Sequence, residues 1–253
     1  MAREIPLDRE DELLAFNTML SGKTDERILL VEAQSGMGKT ILLGEFEHSK
    51  PKRIAFAKID FKGGGTSIAE LFSRLRDKLG GKAKFPNLGN ELKGILNPSI
   101  DISSNLMLGK NQIEAYLNGQ DEQERQVRLA ALTDAFFTDI RALGKLLLIF
   151  DTFEKSDESV KKWLSDSFLS RIQNSPNIFV VIGGQEVPED NFEWDCIRRP
   201  LEGIPPEHWN KYVKSRGMKV HDEYIRACCK IFGGHPLNVK THLDGFGVEG
   251  SKS

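Results

Sequence analysis

The segment Ser35-Gly36-Met37-Gly38-Lys39-Thr40 contains the residue types that hold a phosphate chain and a metal ion. Its glycines let backbone N–H groups approach phosphate oxygens, the Lys39 ammonium can meet the β and γ phosphates, and the Thr40 hydroxyl can bind Mg²⁺. A helix beginning near Lys39 would add the positive end of its dipole. These residues, with Ile41 in the first helical turn, are therefore predicted to form a phosphate-binding loop (P-loop) for ATP or ADP.

One position departs from the full P-loop pattern, which has glycine where this chain has Ala33. The departure is mild, because Gly36 and Gly38 remain where the backbone must approach a ligand most closely. The alternative is a chance Gly-x-Gly-Lys-Thr in a surface turn. An apolar strand before the loop and a helix after it favour the P-loop, since the motif requires that context.

Two acids follow the most apolar run of the chain, 146–150. Asp151 ends that run, and we expect it to share Mg²⁺ with Thr40 from a neighbouring strand, usually through water. The alternative role for Asp151 is that of a helix cap. Glu154 could orient or deprotonate an attacking water, making Lys39, Asp151 and Glu154 the predicted catalytic residues. A solvated Glu154–Lys155 loop pair remains nearly as good an interpretation.

The elements that must position these residues alternate between apolar strand runs and amphipathic helices. This order predicts an α/β fold, a three-layer αβα P-loop NTPase with a mostly parallel sheet. Strands are predicted at 28–31, 53–61, 146–151, 178–182 and near 199–203. The predicted core is 1–203, with an insertion at about 80–120 that includes a small hairpin near Gly109-Lys110. A small helical subdomain is expected at 204–245, followed by a Gly/Ser tail at 246–253 that is typical of a linker.

Composition narrows the class of protein. The chain has 253 residues, with 39% hydrophobic and 28% charged residues and a net charge of −2. The balance of 35 basic and 37 acidic residues makes nucleic acid an unlikely partner. No membrane is expected either, because no apolar run approaches the roughly 20 residues of a span and no secretory signal is visible. We expect a cytoplasmic protein, with Trp163, Trp194 and Trp209 as packing residues.

Several blocks of the sequence, taken in order, resemble the STAND class of signalling ATPases, which contains the NACHT and NB-ARC modules. Pro6 to Glu12 is similar to the segment before the first helix of that class. The P-loop and the run Leu147 to Glu154 are similar to its Walker A and Walker B regions. Gly233-Gly234-His235-Pro236-Leu237 is similar to its Gly-x-Pro signature.

The resemblance implies further nucleotide-binding residues. An Arg in the first block commonly lies near the nucleotide, which indicates Arg9, and the Pro of the signature packs beside it, which indicates Pro236 and its neighbour His235. In the family, the strand after Walker B often ends with an Arg that senses the γ-phosphate. Here Gln185 lies in that region, and its amide can hydrogen-bond a phosphate but supplies no charge. Hydrolysis is therefore expected to be slow or to need a charge from elsewhere.

The resemblance also implies the role of an ATP/ADP switch in signalling or defence. The partners it implies are the nucleotide, further copies of the chain through the ATPase domain, and an unidentified effector or sensor. The winged-helix and repeat-sensor parts of such proteins are not expected within 253 residues. Two alternatives stay open: an AAA-type ATPase linked to DNA transactions, and a nucleotide-locked scaffold without catalysis.

Overall fold

A computed structural model describes residues 7–81, 84–95, 109–119 and 121–249. Its centre is a sheet of five parallel strands in the order β2-β3-β4-β1-β5. The strands are β1 (Ile28–Glu32), β2 (Ala55–Asp60), β3 (Leu146–Asp151), β4 (Ile178–Gly184) and β5 (Cys196–Pro200). The predicted α/β class is confirmed. The fifth strand begins a few residues before the predicted 199–203.

Helices cover both faces of this sheet and continue beyond it. They are α1 (Glu10–Ser21), α2 (Lys39–Ser49), α3 (Ile68–Lys78), α4 (Pro86–Ile95), α5 (Lys110–Leu117), α6 (Glu122–Ala142), α7 (Glu158–Trp163), α8 (Leu169–Gln173), α9 (Pro206–Ser215), α10 (Asp222–Phe232) and α11 (Pro236–Glu249). A π-helical turn, Leu164–Phe168, joins α7 to α8. The helix predicted across this stretch is therefore not a regular α-helix throughout.

Both faces of the sheet are covered, as β3 illustrates: its alternate side chains lie in two different hydrophobic cores. Leu146, Leu148 and Phe150 belong to the larger cluster, with α3 and α6, while Leu147 and Ile149 belong to the cluster that includes α1 and α2. Such two-sided burial is typical of a parallel strand whose faces are both covered by helices. The result is a three-layer αβα arrangement that holds the carboxyl ends of the strands at one edge.

The segment predicted as an insertion contains helix where a hairpin turn was expected. The prediction near Gly109-Lys110 is wrong, because Lys110 begins α5 and Ile113 and Tyr116 of that helix are buried in the larger core. The alternating apolar residues that suggested the hairpin, between 100 and 108, lie outside the described residues. A helix buries its apolar residues at intervals of three and four, and Ile113, Tyr116 and Leu117 follow that spacing.

Helices α9–α11 form a unit that we call the lid, residues 204–249. They share a separate hydrophobic cluster that includes Ile204, Trp209, Val239 and Leu243, with Leu7 packed against it. Helix α11 continues to Glu249, so the tail predicted from 246 is helical at its start. Across the ranges described, every helix falls short of the length or the apolar character needed to cross a bilayer.

Candidate nucleotide-binding site

A cavity of about 510 Å³ opens between the carboxyl edge of the sheet and the lid. Its volume is in the range of small-molecule sites. The lining residues come from the N-terminal segment, the predicted P-loop, the ends of β2, β3 and β4, and the lid. They are Leu7, Arg9, Ser35, Gly36, Met37, Gly38, Lys39, Thr40, Ile41, Lys62, Asp151, Thr152, Glu154, Lys155, Gln185, Ile204, Trp209, Tyr212, Pro236, Leu237 and Lys240.

The predicted P-loop has the backbone conformation that its glycines permit. Gly36 and Gly38 have φ values of 81° and 90°, in the left-handed region that other residues rarely adopt. Helix α2 begins directly afterwards at Lys39, so its unpaired N–H groups and its dipole face the cavity. The Lys39 ammonium donates to the carbonyl oxygens of Ala33 and Gln34. Burial lowers the pKa of Lys39, while Glu154 and Asp151 act in the opposite direction.

Asp151 lies at the end of β3, where it is only 2% exposed. Its carboxylate is 3.5 Å from the Lys58 ammonium on β2. Burial raises the pKa of Asp151, the neighbouring Lys58 charge opposes that rise, and Asp60 adds to it. Asp151 is thus a buried acid whose nearest cation is supplied by the edge strand.

The expectation that this acid lies on a strand neighbouring the P-loop strand is wrong, because β4 is inserted between β1 and β3. Gly183 of β4 is paired with Val31 on one side and with Asp151 on the other. A side chain at Gly183 would begin 2.8 Å from Leu43 Cδ1 of α2. The absence of a side chain at Gly183 lets α2, the helix that follows the P-loop, pack closely against the sheet next to Asp151.

Glu154 is aimed at the end of β4 by an unusual turn. Thr152 has φ 61° and ψ 42°, a left-handed conformation that is rare for a β-branched residue, and its hydroxyl donates to Asp60 Oδ1 at 3.0 Å. After this turn, the Glu154 carboxylate accepts the Gln185 backbone N–H at 2.9 Å and lies 3.4 Å from the Gln185 amide nitrogen. A Cβ at Gly184 would lie 2.9 Å from Glu154 Oε2. Glu154 and Gln185 therefore form one hydrogen-bonded unit.

Arg9 reaches the cavity but binds protein carbonyl groups. It is 5% exposed, and its guanidinium donates to the carbonyl oxygens of Asp8, Met37 and Glu202 at 2.9, 3.2 and 3.1 Å. These bonds connect the N-terminal segment, the P-loop and the strand-to-lid connection. Arg9 lines the cavity, its proximity to a nucleotide stays a prediction, and the bonds add a connection that the sequence did not indicate.

Of the residues predicted for the site, His235 is placed differently from the others. The cavity lining includes Pro236 but not His235, whose Nε2 lies 2.9 Å from the Ser35 carbonyl oxygen behind the P-loop. The His235 side chain thus contacts the backbone of the P-loop and does not line the cavity. The remaining predicted residues all line the cavity.

The lid lines the cavity with more residues than the predicted Pro236. Trp209, predicted as a packing residue, is 1% exposed and packs edge-on against Tyr212, and both residues line the cavity. Their spacing of three positions on α9 places them on one helix face, which is the only signal that the sequence offered. Together with Leu7, Ile204 and Leu237 they give the cavity an apolar, aromatic end.

This division of the cavity fits a nucleotide. The left-handed glycines, the start of α2 and Lys39 could hold a phosphate chain, while the apolar end could hold a base. Thr40 and Asp151 are the residues that would hold Mg²⁺, which prefers oxygen ligands and neutralises phosphate charge when bound. The fold and this site define the chain as a P-loop ATPase-type domain.

The sequence profile of the AAA ATPase domain matches residues 7–181, well over half of the chain. The chain therefore belongs to the AAA ATPase domain family, whose members bind nucleotide and usually Mg²⁺. No curated protein is similar to it at a significant level.

Among solved structures, the chain is similar to a Walker-type ATPase of Pyrococcus abyssi, with 16% identity and a TM-score of 0.53 over 92% of this chain and 66% of that one. It is also similar to a Signal Transduction ATPase with Numerous Domains (STAND) with a tetratricopeptide repeat sensor from Pyrococcus horikoshii, with 15% identity and a TM-score of 0.56 over 92% and 29%. The match to Drosophila ORC bound to DNA has 14% identity and a TM-score of 0.48 over 82% of this chain and 46% of that one. At these identities the likeness concerns the fold, and the chain spans less than two thirds of these structures.

Lys58 should compete with Mg²⁺ for Asp151. If so, Lys58→Met will lower the Mg²⁺ concentration needed for half-maximal ADP binding by about three- to tenfold, because a partly buried ion pair no longer has to be opened. Isothermal titration of ADP across a Mg²⁺ series measures this. Lys52→Met removes the same charge from an exposed turn before β2 and should leave the midpoint unchanged. An unchanged or raised midpoint in Lys58→Met would contradict the competition.

Proposed function

We propose that this chain is the Mg²⁺-dependent ATP/ADP-binding switch module of a STAND-type signalling or defence ATPase. The observation that carries the proposal is that one cavity is walled by both the P-loop and the lid. A nucleotide held there would touch both units, so its phosphate state could bias the position of the lid. Differential contacts with two arrangements are what a ligand needs to act as a switch.

Slow hydrolysis is the second part of the proposal. Glu154, the residue we propose to act on the attacking water, already accepts hydrogen bonds from Gln185. Gln185 brings no positive charge to the end of β4, and a cation there would stabilise charge that develops on the transferred phosphoryl group. Turnover would therefore be slow unless a cation reaches this position from elsewhere, for example from a partner or a second copy.

The proposed partners follow from this role: the nucleotide, further copies of the ATPase domain, and an effector or sensor protein or domain. The AAA-type ATPase linked to DNA remains a competing function. The two differ in a simple way, because a DNA-linked ATPase should accelerate when DNA is added, whereas the switch should respond to nucleotide and self-association alone. A non-catalytic scaffold differs from both in having no turnover for Glu154 to support.

To test the proposed function, the protein should be purified without added nucleotide, its bound nucleotide released and identified, and its turnover measured. We expect retained ADP and slow ATP hydrolysis that falls at least tenfold in Glu154→Gln, which keeps the size of the side chain but removes its charge. Glu158→Gln is the matched control, since Glu158 lies on the exposed start of α7 with its carboxylate on Lys161. It should hydrolyse ATP like the unmutated chain.

Each competing function has its own outcome. Turnover unaffected by Glu154→Gln would remove the catalytic role of Glu154, whereas retained ADP with no turnover in the unmutated chain would favour the scaffold. A severalfold rise of turnover with duplex or single-stranded DNA would favour the DNA-linked ATPase. Size-exclusion profiles that are the same with ADP and with a non-hydrolysable ATP analogue would argue against a switch that controls self-association.

A further inference from the structure

The outer side of the P-loop is held by the lid and the N-terminal segment at three consecutive carbonyl groups. Ser35 O lies 2.9 Å from His235 Nε2, and Gly36 O accepts the Leu237 N–H at 3.2 Å. Met37 O accepts from Arg9 Nη2 at 3.2 Å. Two of these three contacts come from the start of α11, so the lid meets the loop through backbone groups rather than through side-chain packing alone.

These contacts bear on phosphate binding because peptide bonds are planar and trans. In a trans peptide the C=O of one residue and the N–H of the next point in opposite directions. Fixing Ser35 O toward the lid therefore fixes the Gly36 N–H away from the lid, and fixing Met37 O toward Arg9 fixes the Gly38 N–H away from Arg9. Both glycines line the cavity. The docked lid thus helps to set the amide directions in the loop.

Gly36 is needed for this approach as well as for its backbone conformation. A Cβ added to Gly36 would lie 2.5 Å from His235 Cε1, closer than real side chains come, and 3.1 Å from Leu237 Cβ, which is a tight contact. The lid can sit against the loop only because that position lacks a side chain. The second glycine, Gly38, has open space at the same point and imposes no such limit.

His235 has a separate role at each ring nitrogen. A carbonyl oxygen only accepts hydrogen bonds, so Nε2 must carry the hydrogen that is donated to Ser35. Nδ1 is then the acceptor in neutral imidazole, and it lies 3.5 Å from the Asn238 N–H in the first turn of α11. His235 therefore faces the P-loop with one nitrogen and the start of its own helix with the other.

We propose that His235 is a positioning residue that couples docking of the lid to the phosphate-binding conformation of the P-loop. The proposal rests on the proposed function, in which that loop holds the nucleotide phosphates. Because coupling between two equilibria is reciprocal, a docked lid raises nucleotide affinity and a bound nucleotide stabilises the docked lid by the same factor. The Ser35 bond carries the coupling, and the contact with Asn238 only supports the helix.

Two substitutions separate these roles. Glutamine places its amide N–H₂ near the position of Nε2, so His235→Gln can still donate to Ser35 O. Asparagine is shorter and suits the capping position, so His235→Asn can still accept from the Asn238 N–H but does not reach the loop. We expect His235→Asn to bind Mg-ADP about three- to tenfold more weakly than the unmutated chain, the effect of one lost neutral hydrogen bond. His235→Gln should stay within about twofold of it.

The second readout is amide hydrogen exchange in α9–α11, which does not depend on catalysis. Without nucleotide, lid amides should exchange faster in His235→Asn than in the unmutated chain or in His235→Gln. Mg-ADP should slow amide exchange in α9–α11 of the unmutated chain. In His235→Asn this slowing should be smaller, by the same factor by which the affinity for Mg-ADP falls. Mg-ADP is the probe in both measurements, and the full chain is used throughout.

The outcomes distinguish this proposal from the proposed function. If His235→Asn behaves like the unmutated chain while His235→Gln is impaired, His235 acts as a helix cap and the coupling is overturned. Equal affinity and equal exchange in all three proteins would overturn it as well. Failure of the unmutated chain to bind Mg-ADP would overturn the proposed function itself, and the coupling with it.

Discussion

Replacing Lys39 by alanine should weaken binding of Mg-ATP and Mg-ADP by about 10- to 100-fold. The Lys39 ammonium is half-buried at the start of α2 and is the cation in the loop that the sequence predicted for phosphate. A charge-assisted hydrogen bond contributes about 1.5–3 kcal/mol, and each 1.4 kcal/mol corresponds to a factor of about ten in affinity. Titration calorimetry with ADP at fixed Mg²⁺ measures the change.

The control for Lys39→Ala is Lys155→Ala. Lys155 also lines the cavity, but it is exposed on the short turn after Thr152. Its removal should change affinity by less than about threefold, as expected for an exposed charge. Because Lys39 also bonds within its own loop, circular dichroism must show that the variant is folded. Affinity that does not fall in a folded Lys39→Ala protein would remove the phosphate-binding role of the loop.

The second large effect is expected at Asp151. Asp151→Asn keeps the shape of the side chain but removes the buried negative charge that we propose for Mg²⁺. The gain in nucleotide affinity on adding Mg²⁺ should fall below about twofold, and ATP turnover should drop by at least about 100-fold, since the metal neutralises the charge of the transferred phosphoryl group. Binding in EDTA and in Mg²⁺, with a phosphate-release assay, measures both effects.

Asp60→Asn is the matched variant for Asp151. Asp60 is paired with Asp151 across β2 and β3, and it accepts the Thr152 hydroxyl. It lies one strand further from the P-loop and does not line the nucleotide cavity. The response to Mg²⁺ should therefore persist in Asp60→Asn. An equal loss of the Mg²⁺ response in both variants would show that Mg²⁺ binding depends on the combined negative charge of Asp60 and Asp151 and not on Asp151 alone.

The sequence was sufficient to predict the elements that carry the chemistry. A run such as Leu146 to Phe150 is apolar at every position, and only a strand buried on both faces explains that pattern at this length. The P-loop, Asp151 at the end of β3 and Glu154 in the following turn could be selected as candidates because their spacing is local. The order of the strands is set by packing of helices far apart in the chain, so the insertion of β4 between β1 and β3 had no local signal.

The lid was harder to predict for a physical reason. Trp209 and Tyr212 on α9 follow a helical pattern that is the same whether a helix packs only against protein or also against a ligand. The contact of His235 with the Ser35 carbonyl joins positions 200 residues apart and uses a backbone group that no residue type encodes. Gly36 did carry a signal, but its close approach to His235 could be recognised only in three dimensions.

Three consecutive residues of the N-terminal segment join the lid, the P-loop and the connection between the sheet and the lid. Leu7 packs into the hydrophobic cluster of the lid, Asp8 lies 3.1 Å from His208 on α9, and Arg9 ties the P-loop to Glu202. The segment is therefore a tether between the two walls of the cavity, bound to the lid at one end and to the P-loop at the other. If the lid moved away from the P-loop, either the contacts of Leu7 and Asp8 with the lid or those of Arg9 with Met37 and Glu202 would have to break, so this segment opposes separation of the two units.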